Sequence, residues 1–244
     1  MIAFGRGRPA MSISSVQPTI NPVADAAHRL QQMRIRIAGR FRLGLRFEST
    51  RYGLRRDLAI PFPAPDAKIP ISVRPLAEAD LPILLAVNAD TSEADRFEIT
   101  WRQAFAARRL AGGYVAVDER DGRPCYVQWL FGAADNEFIR SMHGFPELAP
   151  DEALLENAYT PASHRGLGIM PAAMARIAEK AETIGARYVI TFVEQNNIPS
   201  LKGCQRCGFA PDLEHKLVRY GFGLFRTDSF TKLADDDPRR TQKF

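Results

Sequence analysis

Ala153-Leu154-Leu155-Glu156-Asn157-Ala158-Tyr159-Thr160 runs through Pro161-Ala162-Ser163-His164 into Arg165-Gly166-Leu167-Gly168-Ile169, and a helix-forming stretch follows from Met170 to Gly185. The first eight residues are apolar-rich and of strand length. A strand that feeds a glycine-rich turn opening a helix suits a phosphate. The first-turn N–H groups lack intrahelical partners, the helix dipole favours an anion there, and glycine lets the backbone approach closely.

Working outward, Arg187 to Val193 reads as a second, β-branched strand. Asn196-Asn197-Ile198-Pro199-Ser200 marks a helix start, with Leu201 to Cys207 as its body and Gly208 as its stop. Upstream, Ile69 to Pro75 is a short β-like run, and Ala77 to Asn88 and Arg96 to Leu110 are helical. Tyr114 to Asp118 and Pro124 to Phe131 form strands joined at Asp121-Gly122, a hairpin signal. Gly132 to Pro150 reads as irregular. Lys216 to Arg226 reads as a closing strand, with a frayed tail after it. The pattern predicts a mixed α/β (α+β) fold, a central sheet of antiparallel and parallel strands flanked by helices.

The 244 residues carry a net charge of +5, unevenly spread: residues 1–60 hold eleven Arg against Asp25, Glu48 and Asp57, so the remainder is net acidic. Residues 1–22 have no periodicity, and Met11 is an alternative start to Met1. A helix is expected over 23–38, an alternating strand over Phe41 to Phe47, another over Tyr52 to Ile60, then a Pro61/Pro63/Pro65 linker. The expected organisation is a basic extension and linker over 1–67, a mixed α/β domain over 68–228 and a charged tail over 229–244. A solvated or packed extra element, with its arginines facing water, is the favoured reading of the extension. Peripheral contact with an anionic membrane through residues 29–56 comes next. Nucleic acid is least favoured, because the aromatic interleaving of an RNA platform is missing.

Three cysteines without a disulfide framework suit a reducing interior, and Met1 to Ser15 lacks the apolar core of a secretory signal, so a cytoplasmic location is expected. Cys204 and Cys207 form a Cys-x-x-Cys pair without the second pair that zinc would need, so no metal is expected.

Taken together, Arg165, Gly168 and Met170 at the glycine turn, and Asn197, Ser200, Cys204 and Gly208-Phe209 beyond it, resemble the GNAT superfamily of acyl-CoA-dependent N-acetyltransferases. The Val73-Arg74-Pro75 and Asp80-Leu81 opening is similar as well, and the resemblance covers residues 68–228. Two positions depart from the pattern: Met170 stands where a small residue is usual, and Cys204 where the family often carries Tyr. The resemblance implies acetyl-CoA as co-substrate, its pyrophosphate on the N–H groups of Gly166, Leu167, Gly168, Ile169 and Met170. It also implies that the pantetheine arm pairs with Ala158, Tyr159 and Thr160, and that the acceptor is an amine of a small molecule or amino sugar. Arg165, Asn197 and Ser200 complete the expected binding set. A base is useful because amines are largely protonated at neutral pH. Glu156, interrupting the apolar run, is the first candidate, with a solvent-facing strand residue as the competing reading, and Glu194 is the second. Cys204 is the candidate proton donor to the leaving thiolate, against a plain buried residue. A silent acyl-CoA-binding module and an adaptor run by the basic extension are the rival functions; the oligomeric state stays open.

Overall fold

The computed structural model describes residues 45–222 and 224–244. In chain order the strands are β1 (Arg46–Asp57), β2 (Ile71–Pro75), β3 (Gly113–Asp118), β4 (Arg123–Gly132), β5 (Glu152–Tyr159), β6 (Tyr188–Glu194), β7 (Ala210–Tyr220) and β8 (Phe225–Lys232). The α-helices are α1 (Asp80–Leu84), α2 (Glu93–Ala106), α3 (Asn136–Met142), α4 (Ile169–Glu179) and α5 (Ile198–Arg206). All eight strands form one sheet in the order β2-β3-β4-β5-β6-β1-β7-β8. Every neighbouring pair is antiparallel except β5 and β6.

Strand alternation sorts the apolar side chains to two faces. On one, Leu54, Tyr126, Leu155 and Val189 pack with Ala172, Met174, Ile177 and Leu201 of α4 and α5. On the other, Trp129, Phe131, Leu154 and Phe192 pack with Leu84, Ile99, Phe105 and Ile139 of α1 to α3. The sheet is therefore covered on both sides, as a mixed α/β fold requires.

Local signals explain most boundaries. Gly122 takes φ +72° in the β3–β4 turn, and Ser92 caps α2 by accepting the Asp95 N–H. The Asn197 side chain accepts the Ser200 N–H at 3.3 Å and caps α5. Asp80, buried at the start of α1, takes both Arg74 Nη1 and Nη2 at 2.7 Å and the Ala77 N–H at 2.8 Å, tying α1 to β2.

Several expectations need correction. Arg46–Asp57 is one strand lying inside the sheet between β6 and β7, so the described part of the basic extension is core architecture rather than an appendage. The prolines after it are not a free linker: Phe62 lies against Gly208, and the Lys68 N–H bonds the Leu167 carbonyl at 2.8 Å. The closing strand is two strands, β7 and β8. The tail is docked, with Leu233 buried and the Phe244 ring 5.6 Å from that of Tyr52. Residues 132–150 contain α3, hidden by its polar composition, whereas the helix expected over 77–88 is confined to Asp80–Leu84. The helix expected over 23–38, and most of the strand over 41–47, lie outside the described residues.

Candidate active site

The parallel pairing of β5 with β6 lasts for three positions, Glu152↔Tyr188, Ala153↔Val189 and Leu154↔Ile190. Beyond Leu154 the two strands part. β6 follows β1 as far as Glu194↔Arg51, while β5 follows β4 to Tyr159↔Val127. A register shift between Val127 and Trp129 accompanies this divergence, and Asn157 there adopts φ +60°. A bulge bends its strand and strengthens the twist. The wedge left between the strands is a cavity of about 860 Å³.

The glycine turn closes one end of the wedge. Gly166 and Gly168 take φ +77° and +72°, and Gly168 is the N-cap of α4 without a side-chain cap. The first-turn N–H groups are thus left for another acceptor. Leu167 does not line the cavity; its carbonyl anchors the turn to Lys68. Arg165 bonds the Thr160 carbonyl at 3.1 Å and Asp95 at 2.6 Å, linking the turn to α2. The Met170 sulfur would stand only 2.6 Å from a Cβ at position 203. The bulky Met170 is therefore matched by Gly203 on α5, which lets the two helices close over it. Asn197 and Ser200 also face the cavity.

Glu156 shares a face with Leu154 and lines the wedge, half-buried. Burial pushes its carboxyl pKa above the ordinary 4.5, although the Asn157 N–H and the Arg51 and Arg102 guanidinium groups pull the other way. Cys204 lies in the wall of the same cavity but is fully buried, its Sγ 3.9 Å from the Met174 sulfur, and burial drives its thiol pKa well above 9.0. Glu194 takes the Ser49 hydroxyl at 2.8 Å.

Sequence reasoning missed the residues that topology alone brings here. Arg102 of α2 donates from Nη2 to the Ala158 carbonyl at 2.8 Å, with its guanidinium 4.9 Å from the Tyr159 ring centre. Arg51 of β1 lies between the rings of Phe145 and Phe192, at 5.1 and 5.2 Å. The Tyr126 hydroxyl donates to Gln128 Oε1 at 2.7 Å, and buried Asn157 has no side-chain hydrogen-bond partner. Among the described residues no group of His, Cys, Asp and Glu side chains is arranged to hold a metal ion, and no helix is long and apolar enough to cross a membrane.

Arg51 Nε donates to His215 Nδ1 at 3.0 Å, so that nitrogen carries no proton, and His215 Nε2–H donates to Asp228 at 2.7 Å. His215 is fully buried, and burial lowers its pKa below the ordinary 6.5. A lowered histidine pKa contributes stability that is complete above about 6.5 and is lost as pH falls through the folded value. The urea midpoint should therefore fall more steeply between pH 7 and pH 5 in the wild type than in His215→Asn. Parallel slopes in the two proteins would contradict this linkage.

A family model for the acetyltransferase (GNAT) domain matches residues 71–210. Solved structures resemble the chain at low identity. One is a GNAT-family acetyltransferase from Colwellia psychrerythraea, 13% identical with TM-score 0.44, where the match covers 76% of this chain and 56% of that one. Another is a GCN5-related N-acetyltransferase from Sphaerobacter thermophilus, 15% identical with TM-score 0.47, covering 84% and 56%. The chain thus spans little more than half the length of either. No curated protein matches. With more than half of its length matched by that family model, and with a sheet that splays beside a glycine turn, the chain belongs to the GNAT acetyltransferase family.

Proposed function

We propose that the protein transfers an acetyl group from acetyl-CoA to a primary amine by direct attack. The observation that carries this reading is the wedge, with an uncapped helix N-terminus at its mouth and a half-buried carboxylate inside. The N–H groups of Gly166 to Met170 hold the pyrophosphate, where the helix dipole is worth about 0.3–1 kcal/mol per anionic charge. The exposed edge of β5 from Ala158 to Thr160 receives the pantetheine arm. The Ala158 and Thr160 carbonyls already accept from Arg102 and Arg165, so these arginines share or yield the edge on binding. A backbone N–H beside the Asn157 bulge polarises the thioester carbonyl.

Glu156 takes the proton of the acceptor ammonium, directly or through one water. Its raised pKa brings it closer to that of an effective base near neutral pH. The freed nitrogen bonds the acetyl carbon, the carbon–sulfur bond breaks, and coenzyme A leaves as the thiolate. Donation by Cys204 would strand a second thiolate in apolar surroundings, which its burial opposes. Its stronger contribution is to packing against Met174. Glu156 returns its proton to the coenzyme A thiolate, and the second proton, shed by the nitrogen as the amide forms, passes to solvent through the carboxylate so freed.

Thiol release from acetyl-CoA with a panel of amines tests the reaction, and calorimetry with CoA tests the site separately. Binding without release from any amine would favour a silent acyl-CoA-binding module. Gly168→Val places a β-branched residue at φ +72°, its Cβ 3.5 Å from the Asp66 carbonyl. It should weaken CoA binding by about tenfold or more, given roughly 1–3 kcal/mol of backbone strain that relaxes only by tilting the turn. Unchanged CoA affinity would remove the turn from the binding site.

A further inference from the structure

Arg51 of β1 and Glu156 of β5 line the same cavity. β1 alternation puts Tyr52 into the α4–α5 face, so Arg51 points to the face shared by Leu154, Glu156 and Phe192. Its guanidinium is positioned from behind by His215 Nδ1 and the Gly144 carbonyl, and is flanked by Phe145 and Phe192. The remaining Nη1 makes no hydrogen bond and is not sealed from the cavity.

Glu156, Glu194 and Asp228 attract this cation from a distance, but its burial outweighs them and none of them is paired with it. Glu194 is engaged by the Ser49 hydroxyl, at 2.8 and 3.0 Å. Asp228 is taken by His215 and Arg226, the latter at 2.9 Å from Nη2. Arg102, another arginine of the cavity lining, is tied to Ala158 and lies 3.8 Å from Glu98. Among the described residues no carboxylate lies within 4.0 Å of Arg51. A largely desolvated cation without an ion pair is costly, and an anion arriving with the ligand recovers that cost.

Resting on the acetyl-transfer reading, we propose that the acceptor is an amino carboxylate, a free amino acid or a close relative. Its carboxylate sits on Arg51 and its amine faces Glu156. One guanidinium edge beside an acidic residue suits a monoanion. A phosphate dianion at Arg51 would meet the Glu156 charge as well.

The test compares L-amino acids with their amides (glycine, leucine and phenylalanine against glycinamide, leucinamide and phenylalaninamide) in thiol release from acetyl-CoA. An α-amine is more acidic in the amide, so intrinsic reactivity near neutral pH favours the amides and any reverse preference comes from the protein. The wild type should show kcat/KM at least tenfold higher for the amino acids. Arg51→Gln should raise KM for amino acids by tenfold or more and cut the preference for amino acids over amides by at least tenfold, on top of a change in kcat common to both series from the lost pull on Glu156, with Arg51→Lys between, and circular dichroism confirming that each variant is folded. Equal use of amides by the wild type, or an equal loss on both series in Arg51→Gln, overturns the proposal while acetyl transfer stands. If no amine releases thiol, the acetyl-transfer reading fails. Calorimetry of leucine against leucinamide on the CoA-saturated protein then decides the anion site alone, and equal affinities overturn it.

Discussion

Glu156→Gln should lose about 10²–10⁴-fold in kcat, the usual contribution of a positioned general base, and should at the same time unfold at higher temperature near pH 8. The two effects share one cause. Glu156 stands between fully buried Leu155 and buried Asn157, and burial outweighs the combined pull of the Asn157 N–H, Arg51 and Arg102 on its carboxylate. A carboxyl whose folded pKa is raised binds its proton more tightly in the native state than in the unfolded chain. The cost of ionising it is absent below about 4.5, the ordinary value, grows as pH rises to the folded pKa and is complete above it.

Glutamine keeps the shape and removes the charge. Thermal melts of the two proteins should therefore coincide near pH 4 and separate near pH 8, the variant being the more stable. The outcome weighs two opposing terms, because Arg51 and Arg102 each lose an attractive neighbour in the variant. The direction of the Glu156 shift already includes both arginines, and desolvation still wins. A variant that keeps its rate would remove Glu156 from the proton path. One that loses rate but melts like the wild type at pH 8 would show that the carboxylate is solvated.

The features that were legible in the sequence are those with local causes. The glycine turn, the Asn197 cap and the Asp121-Gly122 hairpin each depend on backbone conformations that only a few residue types accept. Glu156 was legible because it interrupts Leu154-Leu155. β1 was legible only in part, as separate strands expected over 41–47 and 52–60, because Ser49-Thr50-Arg51 interrupts the apolar alternation expected of an interior strand. Its arginines are accommodated by long-range partners instead: Arg55 lies 3.7 Å from the Tyr188 ring centre and 3.4 Å from Glu152, and Arg56 reaches the Ala175 and Phe62 carbonyls. Composition cannot reveal such partners, since they come from β5, β6 and α4. Arg51 and Arg102 escaped notice for the same reason, each reaching Glu156 only through the folded topology. α3 lacked a cap or an apolar stripe strong enough to stand out from its polar loop.

The second large effect is expected from β1. A chain beginning at residue 58 should fail to unfold cooperatively, whereas one beginning at residue 45 keeps every pairing described. β1 pairs with β6 over seven register positions and with β7 over ten, so its removal bares two strand edges at once and separates β7 and β8 from the rest of the sheet. It also removes Leu54 and Tyr52 from the larger core cluster. Leu54→Ala alone should cost about 2–5 kcal/mol, the range for a fully buried leucine, against a total of about 5–15 kcal/mol for a typical domain. A graded series follows: a lowered urea midpoint for Leu54→Ala, and loss of a cooperative transition for the truncation. A truncated chain with the wild-type midpoint would refute the architectural role of β1. The family match ends at residue 210, just as β7 begins, and starts after β1. The matched segment thus supplies the glycine turn and Glu156 but leaves the outer edge of β6 unpaired. The basic N-terminal strand completes that edge, and with Arg51 it completes the cleft wall as well. Stability and acceptor recognition in this chain therefore depend on the same twelve residues of β1.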